Sequence, residues 1–574
     1  MVRSQFTPKK SILERVLIAG KILADRETPA QMFERVVEAI FRQDFNFTRS
    51  KHDSREYADR LLLNLDSKKI IFSTPVLTNA GRKDFSRPLS ACVVPDISDK
   101  TSYEDLRRII NTYHQEAMGT GFTLNGFNKI AEQILNLNNI AVDGSISGME
   151  DRPVGNMAIC GVDHPEIIDF ITLKMLRPDV RWKFNLSVDT SDHFWQMVDA
   201  DSIFSLKNNY TVRAGELLDL MSYSAHKCAD PGIIFMDRVN RDNPVPGMGN
   251  YTSVAPCGEA GLLPGETCQF GYINVSMFLN EKGEIDIDGV RSITRDMLRA
   301  LDNCVEINLG TYSMPISRYV VSRRRKIGIG ICGLADLFIK MSISYDSDIA
   351  RELAQDLVAL INFESKKYSH ELAKSRGPFI AMSDLIGCSY NHNDGYIERK
   401  YGESNTRWVK DSDWNNLAQK IRETGMLRNS TTIAIPPTGR SALVISASTG
   451  IEPIFSLFDE RGDLCEVVEE FLNKHLPGFS SLEKTEEQVE KIILENQNFS
   501  AILATSKNVS MMGHLKMVAS VQEVVDEAIS KTINMPHDSS VDQVKSSFKF
   551  AYINKLKGVT IYRDGSKESQ PKKL

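Results

Sequence analysis

The stretch Ala255-Pro256-Cys257-Gly258-Glu259 sets a thiol two residues from a carboxylate, and it continues through Gly261, Pro264 and Gly265 to a second thiol at Cys268. A cysteine beside a carboxylate can pair thiol redox chemistry with proton transfer. If the backbone is extended there, positions i and i+2 point the same way, so Cys257 and Glu259 would face one substrate together. An isolated intracellular cysteine is usually a small buried hydrophobe. Flanking Pro and Gly leave this one little regular backbone to pack into, and a Glu at i+2 is costly to bury without a task.

Such a loop needs strands and helices to hold it. Leu89-Ser90-Ala91-Cys92-Val93-Val94 reads as a core strand, and Phe184-Asn185-Leu186-Ser187-Val188 as another. Phe72-Ser73-Thr74-Pro75 reads as a strand followed by a turn, and Met118-Gly119-Thr120-Gly121-Phe122 as a short Gly-rich turn. The basic run Arg323-Arg324-Arg325-Lys326 before Ile327-Gly328 is read as solvated, since charge runs usually are. Strand 428–435 leads through Pro436-Pro437-Thr438-Gly439-Arg440-Ser441 into a helix start, whose unpaired N–H groups can hold a phosphate. Ile12 with Val16 and Leu13 with Leu17 carry helical spacing near the N-terminus, and residues 473–500 read as exposed helices. His164, before Pro165, is a turn or cap residue rather than a metal ligand.

At 574 residues the chain can bury a large core, and a net charge of −6 leaves no footprint for nucleic acid. No apolar run is long enough for a membrane span and no signal peptide opens the chain. Nine cysteines without CxxC spacing suit a reducing cytoplasm.

The run 230–244, the Cys257 loop and Gly271-Tyr272-Ile273-Asn274-Val275-Ser276 together resemble the active-site region of ribonucleotide reductase large subunits. The resemblance spans about residues 70 to 568, through Thr449-Gly450-Ile451-Glu452-Pro453-Ile454-Phe455, which with the 436–441 turn resembles the family's substrate-phosphate segment, Ala528-Ile529-Ser530-Lys531-Thr532-Ile533-Asn534-Met535-Pro536 and Lys557-Gly558-Val559-Thr560-Ile561-Tyr562-Arg563-Asp564-Gly565. It implies an α/β fold, the ten-stranded α/β barrel of the reductases with a central active-site loop. A helical lead-in at 1–50 would precede a catalytic barrel at 51–574.

The resemblance makes Cys257 the radical cysteine and Glu259, ionised as an ordinary Glu is at neutral pH, the acceptor of the 3′-hydroxyl proton. Cys92 and Cys268 are the implied reducing pair. Substrate contacts fall to Thr74, Ser90, Ala91, Gly121, Ala255, Pro437, Thr438, Gly439, Arg440 and Ser441, and an effector-sensing loop to Arg152, Asn156, Met157 and Asp163. Ala255 stands where the family has Asn, and the 152–156 loop also departs from its pattern. The C-terminal segment holds Tyr562 followed by Arg563 where a partner-subunit radical relay wants a tandem Tyr pair. That leaves adenosylcobalamin, the vitamin B12 coenzyme, as the expected radical source, and no metal ligands are assigned. The implied enzyme is a vitamin B12-dependent ribonucleoside-diphosphate reductase, with the choice of di- or triphosphate left open by the sequence. A homodimer with a bound effector deoxynucleotide is expected. With no Cys pair before Leu574, re-reduction is expected from an external thiol or a separate reducing chain, and the short N-terminus argues against an ATP-binding cone. Two alternatives stand beside this: a same-fold radical enzyme acting on another nucleotide, and a non-catalytic nucleotide-binding paralogue.

Overall fold

The computed structural model describes residues 2–48, 50–146, 154–383, 387–459, 462–481 and 485–566. Its centre is a circuit of strands. Cys92–Val93, Gly119–Thr123, Asn156–Gly161, Phe184–Asp189 and Gly232–Ile234 pair in parallel in that order. The last of these meets Gly558–Arg563 antiparallel, and that strand runs parallel to Thr532–Met535. The circuit continues through parallel bridges of Ile529 to Ile435 and of Ile433 to Ile329 in the strand Gly328–Cys332. Gly328–Cys332 pairs with Phe270–Asn274, and one residue upstream Thr267–Cys268 closes onto Cys92–Val93 antiparallel. Two sets of five parallel runs, opposed in direction, thus make the α/β barrel.

Residues 119–123 are a strand of this barrel rather than the Gly-rich turn expected from sequence. Its residues are buried on both faces, as barrel walls are, so the glycines serve close packing instead of chain reversal. A Cβ at Gly121 would sit 2.0 Å from the Val254 carbonyl oxygen of the Cys257 loop. Only glycine lets the loop pass this close to the wall. Thr74 begins the helix Thr74–Asn79 directly after the strand Ile70–Phe72.

The N-terminal helices dock through buried charge. Pro29–Arg42 starts at a Thr28 capping box and buries Met32, Phe33, Val36, Val37 and Ile40 on one face. After it, fully buried Asp44 pairs with Arg299 and Arg376 at 2.5 Å each. Arg376 and Arg325 share Asp302, whose carboxyl burial would raise but these guanidiniums hold well below the carboxylate range. No helix among the described residues is long and apolar enough to cross a membrane.

Gly121→Ala should therefore cost about 1–3 kcal/mol, the usual range for overpacking, read from urea unfolding, together with most of any activity that needs the loop. A variant with unchanged stability and turnover would show that the close approach constrains nothing.

Candidate active site

Ser253–Val254 and Gly261–Leu262 pair antiparallel, and the residues between them form the tip of a hairpin inside the barrel. The tip is a turn, not the extended run considered from sequence: Gly258 N–H donates to Ala255 O at 2.7 Å, and Gly258 takes φ +81°. That left-handed conformation is open to glycine at little cost. The turn sends the two functional groups to different surroundings. Cys257 is exposed on a cavity of about 270 Å³ whose walls include Met157, Ser187, Lys531 and the strand from Gly558 to Tyr562. Glu259 is buried.

Cys92 and Cys268 lie directly opposite one another in the antiparallel pair that closes the barrel. Opposed positions bring Cβ atoms into the range from which thiols meet. One ligating atom each of Cys92, Glu259 and Cys268 lies within 4.8 Å of the other two, and the Cys268 thiol is hydrogen-bonded to Cys92. Burial raises the Cys268 pKa, the Cys92 contact offsetting part of this. Cys268 therefore stays a thiol at neutral pH, which suits a reductant that hands over hydrogen.

Burial also pushes Glu259 up to about 7, partly offset by the backbone N–H groups of Glu259 and Cys257 and reinforced by the nearby charge of Glu527. Its Oε2 is buried without a hydrogen-bond partner. The ordinary ionised Glu expected from sequence is thus a carboxyl near half-ionisation at neutral pH, because desolvation disfavours the charge. A proton acceptor poised near the working pH is what general base catalysis favours.

A cluster absent from the sequence reading holds this loop. Glu527 Oε2 accepts from Gly261 N–H at 3.2 Å, Lys326 Nζ pairs with Glu527 at 2.9 Å and donates to Gly261 O at 2.5 Å, and Arg324 pairs with Glu266 at 2.7 Å. Ala528 N–H donates to Glu259 O at 2.8 Å. The basic run is accordingly not solvated: Arg324, Arg325 and Lys326 are all buried, each against carboxylates brought from distant segments.

The remaining candidates divide. Thr74 and Ser441 hydroxyls lie 3.4 Å apart, Thr438 Oγ1 accepts from Gly450 N–H at 3.1 Å, and Gly439 opens the helix Gly439–Val444 beside them, with Pro437 exposed next in line. Arg440 leaves this group, its Nη1 reaching towards Gly20. Ser90 spends its hydroxyl on Thr267, Tyr312 and Asn308, while Ala91 and Ala255 are buried apolar positions. Asn156 and Met157 belong to a wall strand rather than a loop: Asn156 Oδ1 accepts from Thr120 at 2.6 Å, and Met157 faces the Cys257 cavity. Asp163 pairs with Lys207 at the surface. His164 closes a turn, its Nδ1 accepting from Glu166 N–H. Arg152 lies outside the described residues.

A closed α/β barrel carrying a cysteine loop through its centre, over a second pair of thiols, defines a cysteine-centred barrel enzyme. A ribonucleotide reductase barrel domain matches residues 116–562, and a ribonucleotide reductase all-alpha domain matches residues 17–84. The chain belongs to the ribonucleotide reductase large-subunit family. It is 32% identical to the vitamin B12-dependent ribonucleoside-diphosphate reductase of Thermoplasma acidophilum, over 93% of this chain and 69% of that protein. The enzyme of the same name from Mycobacterium tuberculosis H37Rv is 28% identical over 97% of this chain and 77% of its own length.

With Glu259 titrating near 7, turnover should climb steeply with pH below neutrality and level off above it. Glu527→Gln removes a neighbouring negative charge, so the climb should move to lower pH. A profile flat between about pH 5 and 8, as an unperturbed Glu gives, would contradict the assignment of Glu259 as base.

Proposed function

We propose that this chain reduces ribonucleoside diphosphates to 2′-deoxyribonucleotides, using a Cys257 thiyl radical and adenosylcobalamin. The observation carrying the proposal is the constellation itself: an exposed thiol at a loop tip, a buried carboxyl poised near 7 two residues on, and an opposed thiol pair within 4.8 Å of that carboxyl. The diphosphate substrate and the cofactor are supported by the names of the relatives.

In this reading Cys257 takes the 3′-hydrogen atom and later returns it. Glu259 accepts the 3′-hydroxyl proton while the 2′-hydroxyl leaves as water. Cys92 and Cys268 then supply two electrons and two protons by becoming a disulfide, so substrate plus two thiols give deoxynucleotide, water and one S–S bond. Ser441, Thr74 and the N–H groups at Gly439 would hold the substrate phosphates.

A cavity of about 270 Å³ ends on Cys257 and has Gly558, Val559 and Thr560 on one wall, and the cofactor would approach the thiol from there. Asn185 and Ser530 also line it, whereas the Lys531 ammonium is spent on Glu452. When bound, adenosylcobalamin supplies the one-electron oxidation of the thiol. We place with this reading a homodimer, an effector deoxynucleotide, an external thiol reductant and a cytoplasmic location.

Anaerobic turnover of the four ribonucleoside diphosphates with adenosylcobalamin and dithiothreitol tests it. Deoxynucleotide should form only with cobalamin present, and Cys257→Ser should abolish it. Cobalamin cleavage that depends on Cys257 without deoxynucleotide would favour a radical enzyme for another nucleotide, and silence in both assays a binding paralogue.

A further inference from the structure

Cys92, Cys268 and Glu259 bring two sulfurs and one oxygen together in a form that suits a metal ion as well as a substrate. All three side chains are buried, and one ligating atom of each lies within 4.8 Å of the other two. Zn²⁺ sits about 2.3 Å from thiolate sulfur and about 2.1 Å from carboxylate oxygen, so tetrahedral ligand atoms sharing one ion lie about 3.5–3.8 Å apart. Closing from the observed spacing takes side-chain shifts of about 1 Å or less.

The backbone already fixes the bite. Cys92 and Cys268 face one another across adjacent strands, where Ala91 N–H donates to Cys268 O at 2.9 Å, and Glu259 O is held by Ala528 N–H at 2.8 Å. An independent observation points the same way: Glu259 Oε2 is buried with no hydrogen-bond partner. A buried carboxylate oxygen that no donor reaches is stabilised by a cation. The ligand types select which one. Mg²⁺ and Ca²⁺ want an all-oxygen shell, and an iron–sulfur cluster wants a further pair of cysteines. A borderline-soft ion of tetrahedral habit suits a mixed sulfur and oxygen set. Two thiolates and a carboxylate outweigh a divalent ion by one negative charge, and the Lys326 ammonium, whose charge acts on Cys268, offsets it. Three protein ligands leave one position for a solvent molecule, and Cys92 and Ala91 each keep 8% of their surface open as a way in.

We propose that Cys92, Cys268 and Glu259 form a redox-gated site for Zn²⁺, which the reduced pair binds and the disulfide cannot. Binding displaces the two thiol protons to solvent. Zn²⁺ has no redox chemistry of its own, so the thiols are held and not oxidised. The occupied site ties up the groups that the proposed reaction needs as base and as reductant, and deoxynucleotide formation stops until the ion is removed. This inhibition rests on the proposed function; the binding does not.

The test is equilibrium dialysis of the full prereduced chain against a zinc buffer, without dithiol, which would compete for the ion. The reduced chain should hold one Zn²⁺. Wild type carrying the Cys92–Cys268 disulfide and Cys268→Ser should each bind at least a hundredfold more weakly and Glu259→Gln at least tenfold, while Cys257→Ser and Cys304→Ser keep the wild-type affinity. Co²⁺ in place of Zn²⁺ should show a thiolate charge-transfer band that the disulfide form lacks. Zinc held equally by the reduced and disulfide forms, zinc lost in Cys257→Ser but kept in Cys268→Ser, or no zinc bound would each overturn the proposal. In a single turnover by the prereduced holoenzyme, saturating Zn²⁺ should suppress deoxynucleotide at least tenfold and a chelator should restore it. Zinc bound as expected with turnover unmoved would uphold the site and count instead against Cys92, Cys268 and Glu259 as reductant and base.

Discussion

A loop can run through the middle of a closed sheet only if its backbone N–H and C=O groups find partners there, because water cannot reach them. The Cys257 loop meets this demand partly within itself, through Ala255 N–H to Ala260 O at 2.8 Å, and partly from the barrel floor, where Glu527, Ala528 and Lys326 take Gly261 N–H, Glu259 O and Gly261 O. The floor is itself charged, and burying Glu266, Arg324, Lys326 and Glu527 together costs desolvation that their mutual pairing must offset. What the cluster secures is position. Lys326 lies 3.7 Å from Glu266 as well as 2.9 Å from Glu527, so neutralising Glu527 leaves the lysine a counterion, whereas removing a cation would strand a buried carboxylate beneath the loop.

The position secured is chemically uncomfortable. Glu259 is excluded from water with one oxygen unmatched, and its pKa rises to about 7 as a result. A carboxyl with an unmet acceptor, packed between the loop backbone and two thiols, is stable only because the rest of the loop is over-determined. The same exclusion of water keeps Cys268 a thiol next to Cys92. Proton acceptor and reductant are thus set by one physical cause, burial, on two elements that meet only when the barrel closes.

Much of the site was legible before the fold. The Cys257-Gly258-Glu259 spacing sits in a segment that regular structure cannot use, and the family resemblance added Cys92 and the phosphate segment. The turn at Gly258 was not legible, since i, i+2 spacing is compatible with an extended run until the backbone is seen. Arg324, Arg325 and Lys326 read as a solvated run because their partners Glu266, Asp302 and Glu527 lie tens to hundreds of residues away, and contact between distant charges leaves no trace in local composition. Gly121 read as a turn residue for a similar reason: the carbonyl it makes room for belongs to Val254, in another part of the chain. Barrel closure is a pairing of non-neighbouring strands, and only the resemblance anticipated it.

The most direct test of this account is a single turnover by prereduced enzyme with adenosylcobalamin and no external thiol, followed by differential alkylation and mass spectrometry of all nine cysteines. The account predicts up to one deoxynucleotide per chain, with Cys92 and Cys268 lost from the alkylatable pool together and Cys257 retained. Deoxynucleotide formed while Cys92 and Cys268 remain free thiols, or oxidation of a pair that includes Cys257, would contradict it.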